Sequence, residues 1–199
     1  FVASANCALY SGAKVDFVDI DPKTALMSIT HLEEKLIKAK KENKLPKIVI
    51  PVHYAGQSCD MKAISKLGIE YGFRIIEDAA HGIGAKYLNN SVGGCEYSDI
   101  TVFSFHPVKI ITTGEGGAAL TNNAELNRRM RLLRSHGVTR DSKDIINHDA
   151  WYYEQISLGY NYRMTDLQAA LGVSQIDKLD DYVMMRHSLS KGYDRLLKD

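Results

Sequence analysis

One lysine, Lys109, lies among Val108, Ile110 and Ile111 in the stretch Ser104-Phe105-His106-Pro107-Val108-Lys109-Ile110-Ile111-Thr112-Thr113-Gly114-Glu115-Gly116-Gly117. The apolar run Ile100-Thr101-Val102-Phe103 before it and the run Ala118-Ala119-Leu120 after it read as strands. An amine tethered on a loop between two strands has little access to water. Desolvation disfavours its ammonium form, and a neutral amine attacks carbonyls to form a Schiff base. The glycines that follow permit a tight turn and close backbone approach. The alternative is a surface lysine whose stem crosses apolar ground. Asp78 ends the run Arg74-Ile75-Ile76-Glu77 and opens Asp78-Ala79-Ala80-His81-Gly82. A carboxylate there needs a cation or a donor beside it. The protonated ring nitrogen of pyridoxal phosphate would be such a cation; capping of the next turn is the plainer use.

These residues need elements to hold them. Val2 to Tyr10 reads as a helix ended by Ser11-Gly12, and Lys14 to Ile20 alternates as a strand. Thr30 to Asn43 has helical spacing, with Leu32, Leu36 and Ile37 on one face and a capping-box pattern from Thr30 to Glu33. Lys47 to His53 reads as a second strand. Asp60 to Tyr71 is a helix, capped by Asp60 and stopped by Gly72. Strands follow over 74–77, 99–105 and 117–121. A helix over 123–135 turns Leu126, Met130 and Leu133 inward, 141–154 reads as an exposed loop, and two helices cover 164–179 and 180–198. Alternating strands and helices predict an α/β fold with a mostly parallel central sheet. Functional groups then belong beyond the carboxyl ends of the strands.

The 199 residues suffice for one large domain, and a net charge of +1 gives no electrostatic reason for a nucleic-acid or acidic-surface partner. The basic run Lys38-Ala39-Lys40-Lys41 has no interleaved aromatics and reads as a solvated helix face. No apolar run is long enough to span a bilayer, and no secretory signal is visible at Phe1-Val2-Ala3-Ser4. Cys7, Cys59 and Cys95 form no C-x-x-C pair, which fits reduced thiols in the cytoplasm. His53, His106, His136 and His148 match no common zinc spacing, so no metal is expected. Thr112 to Gly117 lacks the lysine-hydroxyl ending of a phosphate loop, and no G-x-G-x-x-G follows the first strand.

Four ordered blocks resemble the sugar aminotransferases of the DegT/DnrJ/EryC1/StrS family: Glu77 to Gly82, Ser104 to Lys109, Gly114 to Gly117, and Gly159-Tyr160-Asn161-Tyr162-Arg163-Met164-Thr165-Asp166. Phe1 to Asn6 and Val15 to Asp21 are similar as well, so the resemblance covers nearly the whole chain. It implies the large domain of a fold-type I pyridoxal-phosphate enzyme. Lys109 would carry the cofactor as a Schiff base and shuttle protons, Asp78 would bind the ring nitrogen, and His81 would lie near the ring's phenolic oxygen or else be a hydrogen-bonded core histidine. Ser104 would contact the phosphate or the substrate near it, and Phe1 would stack on the ring or serve as a core aromatic. Asn161 would reach the neighbouring subunit's site, which implies a homodimer, and Arg163 would meet an anion or a carboxylate. Within the family the branch that makes pseudaminic acid is most alike. It implies L-glutamate as amino donor and a UDP-linked 4-keto-6-deoxy-N-acetylhexosamine as acceptor.

The resemblance also implies boundaries. Residues 1–180 would be the cofactor-binding domain without its N-terminal part, where the family's phosphate loop lies. Residues 181–199 would start a helix leading to a small C-terminal domain. The chain, with no initiator methionine, therefore reads as a fragment. Two other functions fit the motifs: a keto-sugar dehydratase, although those carry histidine in place of Lys109, and a non-catalytic sugar-nucleotide-binding or assembly module.

Overall fold

A computed structural model describes residues 1–140, 149 and 151–198. In chain order the elements are α1 (Ala3–Tyr10), α2 (Ile29–Lys41), β1 (Ile48–Val49), α3 (Met61–Tyr71), β2 (Arg74–Asp78), β3 (Lys86–Tyr87), β4 (Asn90–Ser91), β5 (Ile100–Ser104), β6 (Gly117–Leu120), α4 (Ala124–Arg134), β7 (Val138–Thr139), β8 (Glu154–Gln155), α5 (Asp166–Ile176) and α6 (Leu179–Leu196). The main sheet has the order β1-β2-β5-β6. Its β1–β2 and β2–β5 ladders are parallel and its β5–β6 ladder is antiparallel, so the α/β sheet is mixed.

Local chemistry sets most boundaries. Asp60 accepts from the Ala63 amide and Gly72 closes α3 at φ 78°. Asn123 caps α4, and Thr165 and Gln168 form a reciprocal capping box on α5. Leu32 and Leu36 of α2 and Met61, Ile64 and Leu67 of α3 bury against Val49 and Ile75, so both helices cover one face of β1 and β2.

Several expectations change. Residues 14–20 form no strand: only Ile20 makes a bridge, to Met27, because an alternating segment becomes a strand only where another offers its backbone. The segment is instead held to α2, where Lys35 pairs with Asp16 at 2.7 Å and also binds the Phe17 carbonyl. The second strand shrinks to Ile48–Val49 plus an isolated bridge at Val52, since Pro51 has no amide hydrogen to donate to the ladder. Ser28, not Thr30, caps α2. Ile37 and Leu133 are exposed rather than inward. Glu154, expected in a loop, pairs with Thr139; residues 141–148 and 150 of that loop lie outside the described residues, and His148 with them. The β3–β4 hairpin, turning through Leu88 and Asn89 at positive φ, was not anticipated.

Candidate active site

Adjacent residues on a strand face opposite ways, and this separates Glu77 from Asp78. Glu77 pairs in register with Thr101 and lies on the covered face, 5% exposed. There its carboxylate accepts from His53 Nε2 at 2.7 Å, from Thr101 Oγ1 at 2.9 Å and from Ser98 Oγ. Burial pushes the Glu77 carboxyl up, but these three donors outweigh it and hold it below its usual value. The Cys59 amide donates to His53 Nδ1, which leaves the ring proton on Nε2. The network ties the ends of β1, β2 and β5 together.

Asp78 is in register with Val102, so the opposite face carries Asp78, Val102 and, two residues on, Ser104. The β2–β5 ladder is parallel, so Asp78 and Ser104 both mark its carboxyl edge. Asp78 is half-buried and its oxygens are held: Oδ1 accepts from the Ala80 amide at 3.1 Å and Oδ2 from Ser4 Oγ of α1 at 2.5 Å. The second is a short hydroxyl-to-carboxylate hydrogen bond.

Lys109 lies in the connection from β5 to β6, half-buried, with its amide bonded to the His106 carbonyl at 2.9 Å. The loop is braced from within. Phe105 and Gly116 continue the ladder, the Thr113 amide donates to the Phe105 carbonyl, and Thr112 Oγ1 donates to that same carbonyl. A Cβ on Gly116 would lie 2.3 Å from Thr113 Oγ1, and one on Gly117 would lie 2.7 Å from the Phe103 carbonyl oxygen. Those glycines therefore meet the close-approach requirement. Ser104 Oγ accepts from the His106 amide at 3.4 Å.

His81 follows Asp78 in the same turn, and its Nδ1 accepts from the Ala55 amide at 3.2 Å. His81 is exposed rather than a core histidine, and the limited desolvation of its ring holds its imidazole below the usual value. The positive charge of Lys109 acts the same way, and the Asp78 carboxylate opposes it. Residues far apart in sequence thus share one electrostatic neighbourhood. The Phe1 side chain is 99% exposed, with no part of the chain covering it.

Asn161 stands elsewhere: it bridges Ser135, while its neighbours Tyr160 and Tyr162 donate backbone bonds to Leu133 and Arg134 at the end of α4. No hydrogen bond among the described residues joins it to Asp78 or Lys109. Arg163 is exposed and makes no ion pair among the described residues. Also among the described residues, no group of three or more His, Cys, Asp and Glu side chains could hold a metal ion, and no helix is long and apolar enough to cross a membrane. Ser4 was missed in the sequence, where nothing marks one serine in an alanine-rich helix as a partner of residue 78.

The donor set fits pyridoxal phosphate: a held carboxylate for its ring nitrogen, an amine for its aldehyde and a hydroxyl at the same sheet edge. Such an arrangement on an α/β sheet suits a cofactor whose aldehyde condenses with an amine. The DegT/DnrJ/EryC1/StrS aminotransferase family matches residues 1–199, and the chain belongs to that family of pyridoxal-phosphate-dependent sugar aminotransferases. It is 40% identical over 197 residues to the UDP-4-amino-4,6-dideoxy-N-acetyl-beta-L-altrosamine transaminase of Campylobacter jejuni, covering 98% of this chain and 48% of that protein. Among solved structures it resembles Helicobacter pylori PseC, an aminotransferase involved in the biosynthesis of pseudoaminic acid, with TM-score 0.88 and 36% identity over 100% of this chain and 49% of that one. It also resembles the PMP form of the putative sugar aminotransferase Spr1654 of Streptococcus pneumoniae, with TM-score 0.82 and 28% identity over 98% of this chain and 52% of that one. The chain spans about half the length of these relatives.

Proposed function

We propose that the protein carrying this chain is a cytoplasmic pyridoxal-phosphate-dependent aminotransferase of pseudaminic acid biosynthesis. It moves an amino group from L-glutamate to C4 of a UDP-linked 4-keto-6-deoxy-N-acetylhexosamine. Residues 1–180 form its cofactor-binding domain, and 181–199 start the helix toward a smaller domain; α6 begins at Leu179, so that boundary falls in the helix's first turn. Two copies share their sites, with Asn161 reaching the partner's.

Bound pyridoxal phosphate supplies the electron sink that makes the carbon carrying the nitrogen acidic. The chain's residues do the rest. Lys109 Nζ would hold the cofactor through its aldehyde and, when free, would take and return the proton at the reacting carbon. Asp78 holds the positive ring nitrogen. His81 stands by the phenolic oxygen, Ser104 binds the phosphate or the sugar nucleotide near it, Phe1 covers the ring, and Arg163 is free for an anion. The observation that carries this reading is the joint placement of Asp78 and Ser104 on one face and edge, with Lys109 on the loop that leaves that edge. The sugar and its stereochemistry at C4 rest on the likeness to the Campylobacter and Helicobacter proteins.

The full-length protein with added cofactor should show an absorbance band that glutamate bleaches, and borohydride should fix the cofactor's mass on the Lys109 peptide. Lys109→Ala should still bind the sugar nucleotide but transfer no amine. Mass spectrometry of products from a panel of UDP-4-keto sugars identifies the acceptor. Absence of the band, or amine transfer surviving in Lys109→Ala, would sink the proposal.

A further inference from the structure

We propose that Ser4 is a positioning residue for Asp78: its hydroxyl, on α1, fixes the carboxylate that receives the ring nitrogen. This rests on the cofactor role given to Asp78 above. Without Ser4 only one oxygen would be held, by the Ala80 amide at 3.1 Å, and the carboxylate could swing about its last bond. With Ser4 Oγ on Oδ2 at 2.5 Å, both oxygens are fixed while each keeps a lone pair. Ser4 comes from an element 74 residues away, so the contact also ties α1 to the carboxyl edge of the sheet. A half-buried carboxylate held in advance loses less freedom when it meets a cation, which strengthens the contact. Ser4 touches neither the reacting carbon nor Lys109 by any hydrogen bond among the described residues; it acts through Asp78.

The test measures pyridoxal phosphate affinity of the full-length apoprotein by fluorescence and absorbance titration, beside its thermal unfolding. Ser4→Ala should weaken binding by several-fold, up to about tenfold, because the carboxylate must then be ordered as the cofactor binds. It should also lower the apoprotein's unfolding midpoint by a few degrees, because the bond to Asp78 is present without the cofactor, so the binding loss is read beside that shift. Ser4→Thr, which keeps the hydroxyl, should restore affinity. In an Asp78→Asn background the same Ser4→Ala change should have little further effect. Ser4→Cys, similar in size with a weak donor, gives the same answer if the alanine variant does not fold. Wild-type affinity in Ser4→Ala or Ser4→Cys would overturn the proposal, as would an equal loss in the Asp78→Asn background. Either result leaves the aminotransferase reading standing if the wild type binds the cofactor; a wild type that does not bind it overturns both.

Discussion

The imidazole of His81 stands where the charges of Lys109 and Asp78 meet, and its titration reports on both. By NMR its midpoint should fall below the ordinary 6.5. Lys109→Ala, which removes a positive charge, should move it up, and Asp78→Asn should move it down. On acidification the unfolded chain takes up this proton first. The stability contributed by the neutral ring is therefore present above about pH 6.5 and is lost as pH falls through the folded midpoint. An unshifted midpoint in Lys109→Ala would show that the lysine lies too far away to matter. At this scale Lys109 and Asp78 were legible because a lone charge at the end of an apolar run is chemically conspicuous. Ser4, and the opposite orientations of Glu77 and Asp78, were not. The first is a contact across 74 residues, and the second needs the register of the sheet.

Among the elements, helix ends were legible where one side chain decides them, as with Asp60, Gly72 and Asn123. Strands were less so: the run 14–20 alternates and the run 47–53 is apolar, but the first lacks a partner and the second an amide at Pro51. The docking of the 160–162 segment on α4 depends on two glycines that only the structure pairs. A Cβ on Gly159 would lie 2.2 Å from the Gly137 amide nitrogen, and one on Gly137 would lie 1.9 Å from the Ser157 carbonyl oxygen. The obstacles are backbone and cannot rotate away. Gly159→Ala should therefore cost about 3 kcal/mol of stability, at the upper end for overpacking, and displace Asn161. Denaturant unfolding measures the first effect. A loss under about 1 kcal/mol would mean that the segment shifts freely.

Across the whole molecule, 14170 Å² is accessible, whereas a folded chain of this mass exposes about 9,400 Å². Helices α1, α4, α5 and α6 bury none of their described residues, and Leu167, Val173, Met184, Met185, Leu189 and Tyr193 are all more than half exposed. The chain spans about half the length of its relatives, and such apolar surface is what the rest of a longer protein covers. The shared sites proposed above predict separately that the full-length protein sediments as a dimer at micromolar concentration; a monomer across the measurable range would count against them. The lysine loop contrasts with these uncovered helices. Its two stems, β5 and β6, are neighbours in one antiparallel ladder, so the amine rides at the tip of a closed ribbon. A ligand fastened there would inherit the stillness of the sheet, and any gating of entry or exit would fall to other parts of the molecule.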